Sequence, residues 1–238
     1  MYTRATAKMK QFSGKEVAAM LLTALTAGFI INAHDWISKG QVTVDYLLWT
    51  FLTVAFASFA IIMLRTVAQK WLAVRLGYLT RYTVHKYGLP VSIFLAIFLK
   101  GIIPYVSPGD LRITESKRLR LGAFRYGLNY KHLASIGIAA PMACVLLMIP
   151  LKPIVLATES LFVTKILHAA AAIAVFGLIP INGQEGFHIL YYRRWLWVFV
   201  IIFVGVYFLL ILLGGVFSYV VAAILAFAAT WFYKKTYD

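Results

Sequence analysis

The chain is poor in acid, in cysteine and in clustered metal ligands. Only 8 of its 238 residues are Asp or Glu, against 23 Lys and Arg, which gives a formal net charge of +15. A single cysteine, Cys144, excludes an intrachain disulfide and says nothing of redox compartment. The five histidines contain no His-x3-His spacing and form no Cys–His cluster, so the usual sequence signature of a zinc site is missing. No short repeat or low-complexity segment is present. Charge of either sign makes up 13% of residues, whereas 62% are hydrophobic and the mean hydropathy is +0.84. That balance excludes a soluble globule and a disordered chain. A basic excess alone would suggest a nucleic-acid partner. The long apolar runs between the charges have no place in water, so no nucleic acid is expected and lipid is.

What is present is a series of seven apolar stretches near the length of about 20 residues that a bilayer core requires. They lie at 17–33, 46–64, 89–106, 132–150, 163–182, 195–213 and 216–232. The first follows a basic, polar N-terminus and lacks a clear small-residue cleavage site, so it reads as an anchor. Gly214 and Gly215 alone separate the last two, which reads as a tight hairpin. If all seven crossed, Lys and Arg would divide 11 to 11, with Lys100 left in the membrane. If 89–106 instead enters and leaves by one face, the division becomes 20 to 3, as the positive-inside tendency requires. Gly88, Pro90, Lys100, Gly101 and Pro104 also interrupt a clean span there.

The expectation is an all-α polytopic membrane protein with six transmembrane helices and a re-entrant or interfacial element at about 89–106. A cytoplasmic basic loop or short hairpin follows at 107–131, after the turn residues Ser107-Pro108-Gly109-Asp110. The competing arrangement has 89–106 crossing and a weak charge bias. By organisation the chain divides into a basic cytoplasmic N-terminus (1–16), a transmembrane core (17–192) and a C-terminal helical hairpin (193–238). Both termini would be cytoplasmic, in the cell membrane.

Polar groups inside apolar helices are costly and mark candidate sites. Three places qualify. In 64–82, read as a continuation of the second helix, Arg65 and Gln69 share a helix face, with Thr66 adjacent. In 135–147, Ser135, Gly137, Ala139, Ala140, Ala143 and Cys144 form a small-residue stripe bent by Pro141. In 176–195, Pro180, Asn182, Gly183 and Gly186 surround a lone carboxylate, Glu185, with His188 one turn on. Each has an ordinary reading by itself: the cytoplasmic end of a span, plain helix packing, and a polar exit turn.

In this order the three places resemble the site-2 protease family of intramembrane zinc metalloproteases, in particular its compact archaeal-type members. Those carry His-Glu-x-x-His on one helix, Ala-Gly-Pro-x-x-Asn on the next core helix and Asn-x-x-Pro-x-x-x-Leu-Asp-Gly on the third. Here the third motif reads Gly177-Leu-Ile-Pro180-Ile-Asn-Gly-Gln184-Glu185-Gly186, with proline, acid and final glycine in register. The second reads Ala139-Ala140-Pro141-Met142-Ala143-Cys144. The first is placed by Gln69-Lys70-Trp71-Leu72-Ala73 and Gly77-Tyr78, similar to the family's His-Lys-Phe-x-Ala and Gly-Tyr. Residues 103–113, IPYVSPGDLRI, look like a Pro-Gly segment found between the first two motifs. The resemblance covers roughly 12–192, and no single motif is intact.

The resemblance puts Arg65, Thr66 and Gln69 where the two zinc-binding histidines and the catalytic glutamate would stand. Arg offers only donors, Thr is no general base at neutral pH, and Gln is a feeble zinc ligand. Catalytic residues and a resident metal are therefore not expected. The expectation is that Arg65 pairs with Glu185, assisted by Gln69, in place of zinc. Ala139, Ala140, Pro141, Cys144, Pro180 and Gly186 would serve helix packing. The chain would be a catalytically inactive relative that binds or assembles partner transmembrane segments, or a subunit of a membrane complex. The alternative is an active zinc metalloprotease with non-standard ligands. A transporter is disfavoured because only Glu185 stands near a core helix, too few acids for a proton relay.

Overall fold

A computed structural model describes residues 12–38, 43–115, 128–213 and 218–237. Among these, eight helices and one two-stranded ribbon succeed one another: α1 (Gly14–Ser38), α2 (Val44–Arg75), β1 (Tyr78–Thr83), α3 (Gly88–Phe98), β2 (Asp110–Glu115), α4 (Tyr130–Thr158), α5 (Leu161–Gly177), α6 (Glu185–Tyr192), α7 (Arg194–Leu213) and α8 (Ser218–Tyr237). Four helices are long and apolar enough to cross a bilayer: Gly14–Ile37, Val44–Arg75, Tyr130–Thr158 and Arg194–Ile211. This makes the chain a largely helical membrane protein. The α5 helix is shorter, at 17 residues, and α3 has 11.

The core is a bundle of α1, α2, α4, α5 and α7 built on small residues. Ala169, Ala170, Ala171 and Ala172 of α5 are fully buried, as are Ala24 and Ala27 of α1, and Gly28 of α1 faces Ala55 of α2. Without a hydrophobic driving force between helices in lipid, such close approach supplies the packing. A second buried ion pair closes the base of α1. Ser13 and Glu16 form a reciprocal capping box. Glu16 also accepts from the Lys70 ammonium at 2.8 Å and from the Tyr82 N–H at 3.0 Å. The basic turn of α2 is thereby tied to α1 and β1.

Two elements differ from the sequence reading. The polar continuation of α2 does not remain helical to residue 82. Gly77, at φ +84°, ends it, and Tyr78–Thr83 becomes a strand. Within 107–131, read as a basic loop or short hairpin, Asp110–Glu115 forms β2 and pairs antiparallel with the upstream β1 in the register Arg81 to Arg112. The pairing partner lies 31 residues upstream because α3 and its return fold back between the strands. The Gly214-Gly215 turn, residues 1–11 and 116–127 fall outside the described residues.

The segment between the strands starts and finishes at the same place. Ser92 of α3 accepts from the Ser107 N–H at 3.1 Å, and a Cβ on Gly88 would lie 2.2 Å from Ser107 Oγ. At its far tip, Gly101 (φ +70°) touches the backbone of His34 near the end of α1. The chain runs out as a helix, turns at Lys100-Gly101 and returns without regular secondary structure to Asp110.

Candidate functional site

The site forms where α2, α4, α5, α6 and the returning segment 104–109 converge. On α2 the spacing of four brings Arg65 and Gln69 to one face, and both are at most 2% exposed. The α5 helix stops at Gly177, and the chain reverses through 178–184 with Gly183 at φ +93°. The α6 helix then begins at Glu185. The Gln184 amide donates to the Phe176 and Ile179 carbonyls at 3.0 and 3.2 Å, which pins the reversal to the end of α5. Glu185 thus occupies the first turn of α6, where the helix dipole favours an anion.

The structure brings Arg65, Gln69 and Glu185 together. Arg65 Nη2 donates to Glu185 Oε1, and Gln69 Nε2 donates to the same oxygen at 3.1 Å. The paired side chains are 3% and 4% exposed. The contact is one-armed. Arg65 Nε and Nη1 and Glu185 Oε2 have no hydrogen-bond partner among the described residues. Thr66 does not join it, because its hydroxyl donates to the Ile62 carbonyl of its own helix at 2.7 Å.

Three glycines make room around Glu185 and the turn that carries it. A Cβ on Gly177 would lie 2.9 Å from Glu185 Oε2, and one on Gly137 would lie 3.2 Å from the Glu185 carbonyl. On Gly186 it would meet the Leu178 carbonyl oxygen at 2.0 Å, so only glycine fits there. Ala140, Pro141 and Cys144 are buried on α4, while Ala139 is half-buried. Pro180 differs from its expected packing role. It sits exposed in the reversal, because the helix has already ended at Gly177.

Other residues at the site carried no sequence signal. Tyr82 donates its hydroxyl to the Pro108 carbonyl at 2.6 Å, and burial pushes this phenol up to about 12. Pro108 lies beside Gly177, covering the pair from the ribbon side. His85 accepts from the Gly88 N–H at 2.7 Å through Nδ1, which leaves Nε2–H to donate to the Asn182 carbonyl at 3.1 Å. Leu111 N–H donates to the Gly183 carbonyl at 3.2 Å. The Tyr82–Pro108 contact spans 26 residues of chain, and the His85–Asn182 and Leu111–Gly183 contacts span 97 and 72, and only the turn chemistry of 107–110 hinted at them. Burial raises the Asp110 carboxyl above its ordinary value and lowers the His188 imidazole below its own.

Zinc needs several lone-pair donors in one place. Arg65 has none, the Gln69 amide turns its NH2 to Glu185, and the Thr66 hydroxyl is a weak neutral ligand held against the Ile62 carbonyl of its own helix. Among the described residues no three His, Cys, Asp or Glu side chains gather as metal ligands. The residues at this position do not fit the metal. No family model, no curated protein and no solved structure matches the chain.

Proposed function

We propose that this chain is a catalytically silent, site-2-protease-like integral membrane protein that binds or assembles transmembrane segments of partner proteins, as a subunit of a membrane complex. In this reading α1, α2, α4, α5, α7 and α8 cross the bilayer, α3 with its return is re-entrant, and both termini face the cytoplasm. The lysines and arginines of the ribbon, of α6–α7 and of the end of α8 then share one face.

The observation that carries the reading is the buried Arg65–Glu185 contact at the intersection of α2 and α6. A cation fixed against the carboxylate leaves no seat for a divalent ion, and so no means of activating water there. The same contact still joins helices that a metal would otherwise bridge, so the helix arrangement is kept without its chemistry. The exposed apolar side chains of α2, including Leu48, Trp49, Leu52 and Phe56, provide a face for neighbouring helices or lipid.

Two measurements test it. Elemental analysis of the purified protein is expected to find no stoichiometric zinc, and one zinc per chain would restore the protease reading. In-membrane crosslinking followed by affinity isolation is expected to recover single-span or polytopic partners in fixed proportion. Isolation of the chain alone, with unchanged membrane composition, would overturn the assembly role.

A further inference from the structure

We propose that the basic end of the C-terminal hairpin binds an anionic phospholipid, with one acyl chain lying between α7 and α8 and the phosphate at the arginines and lysines. The inference rests on reading these two helices as membrane-spanning. Only four residues separate them in sequence, and α8 packs principally on α7, so they run antiparallel and the start of one meets the end of the other.

At that end lies a groove of about 470 Å³. Its floor is Leu196 and Phe199 from α7 and Phe227 from α8, flanked by Trp195 and Trp231. Thr230 also lines it, but its hydroxyl hydrogen is already donated to the Ala226 carbonyl at 2.7 Å, so the floor offers no free hydrogen-bond donor. Lys234 lines the groove and is exposed. Phe227, Trp231 and Phe232 are 61–70% exposed, which leaves this side of α8 uncovered by the other described residues.

The charge around the mouth has one sign. Arg193, Arg194, Lys234 and Lys235 are all exposed, and no Asp or Glu occurs between Glu185 and Asp238. Aromatic faces hold two of these cations close to the groove. Lys235 Nζ lies 5.3 Å from the Trp231 ring, and the Arg193 guanidinium lies 5.9 Å from that of Trp195. Among the described residues none of these four cations forms an ion pair, and four such charges exceed what a neutral lipid needs. A hydrocarbon floor exceeds what a soluble anion needs. An anionic lipid uses both, and each cation near the surface strengthens its hold. Trp197 ties this end of α7 to the candidate site by donating to the Leu178 carbonyl at 2.9 Å. A lipid seated here is therefore placed to brace the turn that carries Glu185.

The test uses the full chain in detergent with an equimolar mixture of phosphatidylglycerol and phosphatidylcholine of identical acyl chains, with retained lipids counted by native mass spectrometry. The wild-type chain is expected to retain phosphatidylglycerol selectively. Arg193→Ser and Lys234→Ser should each lower that selectivity about fivefold, with helix content unchanged by circular dichroism, and Lys234→Arg should keep it. Thr230→Trp, which fills the groove and leaves the cations, should lower retention as well. Equal retention of the two lipids, or selectivity indifferent to these substitutions, would overturn the proposal. So would displacement of the lipid by inorganic phosphate alone, or a photo-crosslink from position 230 to a protein. Alkaline extraction of native membranes is the separate check on the spanning reading: release of the chain would defeat that reading, whatever lipid the detergent-solubilised protein retains.

Discussion

Arg65 and Glu185 meet through one guanidinium arm and one carboxylate oxygen, and the remaining polar atoms of both are buried without partners among the described residues. Such a pair has little net stability to give, because desolvation offsets the attraction, but each half is a hazard without the other. Arg65→Met or Glu185→Leu alone is expected to destabilise the chain by about 3–5 kcal/mol. The double substitution should recover most of that loss. Unfolding in mixed micelles checks the cycle, and simply additive losses would show that the two side chains do not act together. The glycines at the site make a second, graded expectation. Gly186→Ala drives a methyl into the Leu178 carbonyl and should cost about 1–3 kcal/mol. Gly137→Ala meets the Glu185 carbonyl at 3.2 Å and gains about 0.5–1 kcal/mol of helix propensity, so its net effect should stay below that of Gly186→Ala in the same assay.

The eight-residue α6 puts Glu185 at its N-terminus and His188 a turn later. Burial lowers the His188 pKa, and the nearby Glu185 and Asp110 carboxylates only partly oppose this. Folding favours the neutral ring, so the unfolded chain takes up the proton first. The contribution of His188 is flat above about pH 6.5 and is lost as the pH falls below that value towards the lower folded pKa. His188→Asn should remove this acid-side loss. It is read as the difference between the two melting profiles, since Asp110, raised by burial, titrates in the opposite sense. A difference that does not change with pH would count against it. The same elements show what the sequence could and could not convey. The apolar helices were legible because length and hydropathy alone set them, and Arg65, Gln69 and Glu185 were legible because charge within an apolar run is conspicuous. The ribbon was not. Its strands are six residues each and belong together only because α3 and its return occupy the 26 residues between them. Nor was the His85–Asn182 contact, since a hydrogen bond to a backbone carbonyl leaves no mark on the partner's identity.

At the scale of the whole molecule, the single cysteine makes the topology directly measurable. In a Cys144→Ala background, Lys86→Cys, Arg112→Cys and Lys234→Cys should react with a membrane-impermeant maleimide from one side, and Glu159→Cys from the other. All four positions are exposed. Labelling of positions 86 and 112 from opposite sides would mean that the segment between them crosses after all. The order of synthesis adds a constraint of its own. The two halves of the buried pair are 120 residues apart. At translation rates of about 5–20 residues per second, Arg65 leaves the ribosome roughly 6–24 seconds before its anion exists. During that interval the second helix must rest with its cation drawn up to the headgroups. It can settle to its final depth only after Glu185 has arrived, so the last core turn to be made determines when the first is finished.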